Sequence, residues 1–172
     1  MSRADSRNRL REFQESLAQR LAQAKSTPAA ASRLGFAINE RRWLMELPEA
    51  GEIVPIQDVA SVPLTHAWFR GLINIRGNLV TVVDLSAFMG GPPTRLERDS
   101  RVLSFSPALE FNAGLLVTRM LGLHNVSRWS VREPNDAPAW VTRGWDDGEA
   151  AWDEISLATL ATDERFLRIS PL

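Results

Sequence analysis

Leu10, Phe13, Leu17 and Leu21 recur at intervals of three, four and four residues, which lines them up on one stripe of a helix. Arg9, Arg11, Glu12, Glu15 and Arg20 fall off that stripe. Ser26-Thr27-Pro28-Ala29-Ala30-Ala31 then reads as helix end and linker, because proline drives the residue before it out of helical geometry. From Leu34 the repeat shortens. Phe36 and Ile38, then Trp43, Met45 and Leu47, alternate with other residues about a turn at Asn39-Glu40-Arg41, the pattern of an opening hairpin. Ile53-Val54-Pro55 and Val59-Ala60 are short extended pieces broken by proline, which suits sheet edges rather than sheet centres.

The strongest local signal lies between Trp68 and Asp84. Two β-rich runs, 71–76 and 79–83, flank Gly77-Asn78, where glycine supplies the positive φ of a tight hairpin turn. Leu85 to Met89 has the length of one helical turn and is halted by Gly90-Gly91-Pro92-Pro93. That breaker cluster, with the charged run from Arg95 to Arg101, is expected to carry the chain from a first half into a second. Strand character returns at 101–106, 114–117, 120–124, 140–143 and 151–155, before a short helix near Ser156 to Leu160. Many short strands, with no β–α–β alternation and no long central helix, predict an all-β fold of small antiparallel barrels. The expected layout is a helix and linker over 1–34 and one body over 35–170. Within that body we place a first barrel at about 35–90, a second at about 101–155, and a closing helix and strand at about 156–168.

Composition narrows the function more than the fold. With 172 residues, 44% of them hydrophobic, the chain can build one sizeable core or two small ones. Its formal net charge of −1 gives it no overall electrostatic claim on nucleic acid or anionic lipid. The charge is unevenly spread: basic residues outnumber acidic ones up to Leu34, and the reverse holds from Glu133 onward. A basic head and an acidic tail are either docking surfaces or solvated faces. No cysteine is present, which removes disulfides, thiolate catalysis and cysteine-bound metal. The first residues lack the apolar stretch of a secretory signal, and no apolar run reaches the roughly 18 residues of a membrane span. A cytoplasmic protein without direct membrane insertion is expected.

Reactive chemistry is hard to assemble. His66 and His124 are the two histidines, and neither has zinc-ligand spacing; Lys25 is the sole lysine, so a phosphate loop ending in lysine and a hydroxyl residue is absent. Asp146-Asp147 and Asp153-Glu154 are adjacent acids that more often face solvent than hold a metal. The aromatic residues are scattered, and few basic residues interleave with them except at Trp68-Phe69-Arg70. The expectation is a protein that is not an enzyme, with no metal, cofactor, small-molecule substrate or nucleic-acid partner.

A family resemblance sharpens this. Arg42-Trp43-Leu44-Met45 through Glu52-Ile53-Val54, Val62-Pro63, Gly71-Leu72-Ile73-Asn74-Ile75-Arg76-Gly77-Asn78-Leu79-Val80 and Val82-Val83-Asp84-Leu85 together resemble, in order and spacing, the first half of a CheW-like domain. Ala113-Gly114-Leu115-Leu116-Val117, followed by Met120 and Leu123, resembles the opening of the second half, so the likeness runs from Gly35 to Leu167. More narrowly, Leu10-Arg11-Glu12-Phe13-Gln14 and the Trp-rich C-terminal third are similar to the CheW-type adaptors of the chemosensory system that controls type IV pili and twitching motility.

The resemblance implies two five-stranded SH3-like barrels with short helices and a hydrophobic seam between them, preceded here by the N-terminal amphipathic helix. It implies a non-enzymatic adaptor, recruited to membrane-receptor arrays. Such an adaptor couples the cytoplasmic tip of a methyl-accepting chemoreceptor to a CheA-type histidine kinase through that kinase's own CheW-like regulatory domain. Carried onto this sequence, Glu52 and Arg76 fall at the charged pair beside the receptor-binding groove. Arg70 and Gly71 fall on its rim, and Met120 and Leu123 line it from the second barrel. The stripe Leu10, Phe13, Leu17 and Leu21 is a candidate partner-docking helix. One position departs from the family pattern, which usually has aspartate after the Gly-apolar-apolar-Val run: Thr118 follows Val117, and a neutral hydroxyl cannot replace a carboxylate in an ion pair. The rival readings are the coupling protein of flagellar chemotaxis and a small-barrel nucleic-acid binder, the latter disfavoured by the lack of a basic stripe.

Overall fold

The computed structural model describes residues 14–15, 31–134 and 136–171; Leu10, Phe13, Leu17 and Leu21 lie outside them. The alternating segment after Ala31 forms a hairpin of β1 (Ser32–Ile38) and β2 (Arg41–Glu46), turned at Asn39 with φ 54°. A 3-10 turn (Leu47–Glu49) leads into β3 (Ala50–Pro55). The second hairpin is β4 (Phe69–Ile75) and β5 (Asn78–Val83), followed by the single helical turn α1 (Leu85–Phe88). Then come β6 (Arg101–Phe105), a 3-10 turn (Pro107–Leu109), β7 (Ala113–Val117), β8 (Arg119–Asn125) and the short β9 (Ser130–Arg132). The chain closes with β10 (Val141–Asp146), β11 (Ala151–Ile155), α2 (Leu157–Leu160) and α3 (Glu164–Leu167). Among the described residues no helix is long and apolar enough to cross a membrane.

The strands form a six-stranded sheet, β8-β1-β2-β11-β10-β9, and a five-stranded sheet, β3-β6-β7-β5-β4. Neighbours pair antiparallel except β11 with β2 and β5 with β7, which run parallel. The sheets do not follow the two halves of the sequence. The opening hairpin, placed in a first barrel spanning 35–90, joins the sheet of β8 to β11. Strands β6 and β7, placed in a second barrel spanning 101–155, join the sheet of β3 to β5. β1 also begins at Ser32, inside the segment read as head and linker.

The breaker cluster therefore does not carry the chain between halves, because it connects β5 and β6 of one sheet. Side-chain hydrogen bonds pin this stretch to the body. Asp84 caps α1 through Ala87 N–H at 3.2 Å and accepts from Thr94 N–H at 2.9 Å and from the Thr94 hydroxyl at 2.6 Å. Asn39 Oδ1 accepts from Arg95 N–H at 2.7 Å. The crossings lie elsewhere, at the 3-10 turn after β2 and at Thr118 between β7 and β8.

Three apolar clusters follow from strand alternation. The largest fills the seam between the sheets: Phe36, Trp43 and Met45 from one meet Val83, Leu103 and Leu115 from the other. In β7, Leu115 and Val117 face the seam while Leu116 faces the opposite cluster of Ile73, Ile75, Val80, Val82 and Val102. A strand with both faces covered reads as an unbroken apolar run, which is why 113–117 is wholly buried. Leu44, Val126, Trp145 and Trp152 make the third cluster, on the far side of the six-stranded sheet.

Candidate partner-docking site

The β4–β5 hairpin turns one residue earlier than the glycine signal indicates. Arg76 (φ 51°) and Gly77 (φ 87°) are the two turn residues, and Asn78 pairs with Ile75 as the first residue of β5. A two-residue hairpin loop of this hand needs positive φ at both central positions. Asn74 steadies it by accepting Gly77 N–H on Oδ1 at 2.7 Å. Arg76 is thus lifted to the apex, with 81% of its side chain exposed.

From there Arg76 Nε reaches Glu52 Oε2 at 3.2 Å. Glu52 belongs to β3 and Arg76 to the turn that follows β4, and these two strands are opposite edges of the five-stranded sheet. Their contact shows that the sheet curls until its edges meet. The backbone does the same nearby: Ala60 and Leu72 exchange two hydrogen bonds of 2.9 Å, joining the segment after β3 to β4. Gly71 makes that closure possible. It has φ 129°, and a Cβ there would stand 2.2 Å from the Ala60 carbonyl oxygen. Gly71 was expected on a groove rim; it is buried at the barrel joint and presents no surface of its own. Glu52 is oriented by its own N–H, which donates to Ser104 Oγ at 2.7 Å where the β3–β6 register slips.

The remaining predicted residues sit as follows. Arg70 is exposed on β4 and stands 3.5 Å from the buried carboxylate of Asp84. Met120 pairs with Phe36 and Leu123 with Leu34, across a bulge that skips Leu121. The bulge sets Met120 and Leu123 on one face of β8, the face of the seam. Met120 is half-buried there and Leu123 is 64% exposed. These two belong to the six-stranded sheet, and Glu52, Arg70 and Arg76 to the five-stranded one.

The acidic pairs are engaged within the protein. Asp147 accepts from Glu149 N–H at 2.8 Å, Ala150 N–H at 2.7 Å and Trp152 Nε1 at 2.9 Å. These bonds, led by that from Glu149, hold its pKa below the usual aspartate value against a smaller opposing effect of burial. Asp153 binds Arg41 at 2.8 Å and Arg132 at 2.7 Å, and Glu154 binds Arg33 at 2.9 Å and the Trp145 indole N–H.

The sequence profile of the CheW-like domain matches residues 33–157 of this chain. The chain belongs to the CheW-like family. Among relatives it is 28% identical to Protein PilI of Pseudomonas aeruginosa over 143 residues, covering 81% of this chain and 80% of that one. It is 26% identical to Chemotaxis protein CheW of Thermotoga maritima over 94 residues, 55% of this chain and 61% of that one. The solved structure of scaffolding protein TtCheW from Thermoanaerobacter tengcongensis superposes with a TM-score of 0.67 at 21% identity, covering 78% of this chain and 94% of that one. That likeness speaks for the fold. As a CheW-like protein the chain is a scaffold or adaptor of chemotaxis-type signalling.

Within this CheW-like scaffold, Thr118 explains its own departure from the family pattern. It is 1% exposed. Its N–H donates to Ala37 O at 2.8 Å, and its hydroxyl accepts from Asn39 N–H at 2.8 Å while donating to Arg95 O at 3.2 Å. Its carbonyl accepts from the Ser100 hydroxyl at 3.1 Å. A hydroxyl both donates and accepts, which an ionised carboxylate cannot do. Sequence reading missed this hub, because a threonine between two strands carries no signal of the four segments that converge on it.

Proposed function

We propose that this chain couples the cytoplasmic tip of a methyl-accepting chemoreceptor to a CheA-type histidine kinase, in the chemosensory branch that controls type IV pili and twitching motility. It acts in the cytoplasm and catalyses no reaction. The observation that carries the reading is the Arg76–Glu52 pair. It is an exposed, oriented charge pair on the closed edge of a barrel, at the positions where the family resemblance places the docking groove. The rigid turn beneath Arg76 keeps that groove preorganised, so docking loses little conformational freedom. Met120 and Leu123 supply apolar area from the other sheet. Likeness to PilI over most of both chains favours the pilus pathway over the flagellar one.

Two related barrels can dock through such faces over roughly 1,200–2,000 Å² of total buried surface, or less for a transient contact. Receptor state would then reach the kinase as a coupling free energy of about 1–3 kcal/mol. Calorimetric titration of the chain with the regulatory domain of each CheA-type kinase from the same cell tests the reading. Binding to the pilus-pathway kinase, stronger than to a flagellar one, is expected. Absence of binding to every such kinase would remove the adaptor role, and a preference for the flagellar kinase would reassign the pathway.

A further inference from the structure

The C-terminal segment returns across the start of β4, at the opposite end of that strand from Arg76. His66 N–H donates to the Ile169 carbonyl at 2.9 Å. Phe166 of α3 stacks on Trp68 at 5.9 Å and 14° and on Phe105 at 6.4 Å and 5°, so the segment is plugged into the seam by one ring. His66 also stacks on Trp68, at 5.6 Å and 14°, and Phe88 meets Trp68 edge-on at 5.1 Å. Between these rings and α3 lies an open cleft of about 390 Å³.

The chemistry of the cleft is one-sided. Arg165 and Arg168 line it with His66, against the single carboxylate of Glu164, in a chain whose formal net charge is −1. Asp163 offsets Arg165 only in part, which leaves Arg168 as the cation without an ion-pair partner among the described residues. Asp163 Oδ1 already accepts Arg165 N–H at 2.8 Å and Phe166 N–H at 3.2 Å as the helix cap, and its contact with Arg165 Nε is a loose 3.9 Å. The Arg165 guanidinium also stands 5.3 Å over the Phe88 ring. Two guanidiniums with spare donors beside a ring-lined floor suit carboxylates flanking an apolar anchor. A volume at the low end of the roughly 300–1,000 Å³ of small-molecule sites holds one bulky side chain rather than a whole cofactor.

We infer that this cleft binds an acidic peptide segment of a partner protein, with one aromatic or large aliphatic side chain resting in the cleft against the exposed edges of Trp68 and Phe88 beside α3 and its neighbouring carboxylates on Arg165 and Arg168. Binding there fastens α3, and with it the Phe166 plug, to the body.

The test uses the full chain labelled with nitrogen-15 and a synthetic capped peptide, Asp-Glu-Phe-Asp-Glu. The expected result is saturable shifts at the amides of His66 and 165–168 and at the Trp68 indole, with slower hydrogen exchange in α3. Arg165→Gln with Arg168→Gln should weaken binding at least about tenfold per charge removed, and added salt should weaken it too. Arg168→Gln alone, at an exposed side chain, serves if the double variant loses its dispersed spectrum. Equal binding of Asn-Gln-Phe-Asn-Gln, or equal shifts with inorganic phosphate alone, would overturn the inference. So would no saturation at millimolar peptide, or affinity unchanged in Arg168→Gln. Because the probe is neither kinase nor receptor, the outcome does not depend on the adaptor reading.

Discussion

In the five-stranded sheet Arg76 meets Glu52 at 3.2 Å, with 81% and 42% of the two side chains exposed. In the six-stranded sheet Arg33 meets Glu154 at 2.9 Å, with 10% and 7% exposed. Bond lengths alone would rank the pairs as equals; their surroundings separate them. Water screens the first pair and can replace either partner, so folding gains little from it. The second pair is largely cut off from water, and the short contact between its members does most to offset their lost hydration, with Glu46 at 3.7 Å from Arg33 and the Trp145 indole N–H on Glu154 as further partners. The comparison teaches where an ion pair is free to serve recognition. A charge that folding does not need is one that a partner can use.

The largest effect should come from breaking the buried pair. Glu154→Ala leaves the Arg33 guanidinium without its nearest carboxylate and the Trp145 indole N–H without its acceptor. Loss of about 3–5 kcal/mol in urea unfolding is expected. A loss below 1 kcal/mol would mean that water or Glu46, already 3.7 Å from Arg33, suffices for that guanidinium, and the contrast between the sheets would collapse.

Thr118→Asp comes next. Restoring the residue that the family usually carries here should cost about 1–3 kcal/mol, since Arg95 O loses its hydroxyl donor and a carboxylate is set in a buried crossing. Equal or greater stability in a denaturant series would show that the crossing tolerates the charge.

Between these effects and the smallest lies a pH effect at the β10–β11 turn. Asp147 has a folded pKa below its unfolded value. Its contribution is therefore full above the ordinary aspartate pKa of 3.8 and is lost as pH falls through the lower folded value. Asp147→Asn should therefore lower stability at neutral pH and flatten the acid limb of the stability–pH curve, the two proteins converging as pH falls through the folded value. An unchanged acid limb would place the dependence on other groups.

The same contrast between local and distant determinants decides how much the sequence discloses. Strands whose residues alternate, such as 36–38 with 43–45, are legible because periodicity is a local property. The Glu52–Arg76 pairing was legible through family resemblance, which carries the three-dimensional register that composition lacks. The assignment of strands to sheets was not. Parallel pairing of β5 with β7 and of β2 with β11 joins residues far apart in the chain, and no local pattern encodes it. The turn at Arg76-Gly77 was misplaced by one residue because Gly77-Asn78 is also an acceptable turn dipeptide. Asn74, two positions before Arg76, decides between the two registers. Gly71 was mistaken for a surface residue for a related reason: what it accommodates, the Ala60 carbonyl, is distant in sequence and silent in pattern.

The smallest effect on folding should come from Arg76→Ala, and here a small number is the informative one. An exposed pair contributes about 0–1 kcal/mol, so the urea midpoint should barely move. The turn itself also survives, because alanine demands no more of positive φ than arginine does and Asn74 still holds Gly77. Binding to the receptor tip or to the kinase regulatory domain should fall nonetheless, since the groove loses both a charge and the group that orients Glu52. A double-mutant cycle with Glu52→Ala separates the two contributions. If the pair acts as a unit, the double variant binds no worse than Arg76→Ala alone. Strictly additive losses would mean that each charge meets the partner independently, and unfolding of Arg76→Ala would make this a structural pair like Arg33–Glu154, ending the distinction drawn between the two sheets.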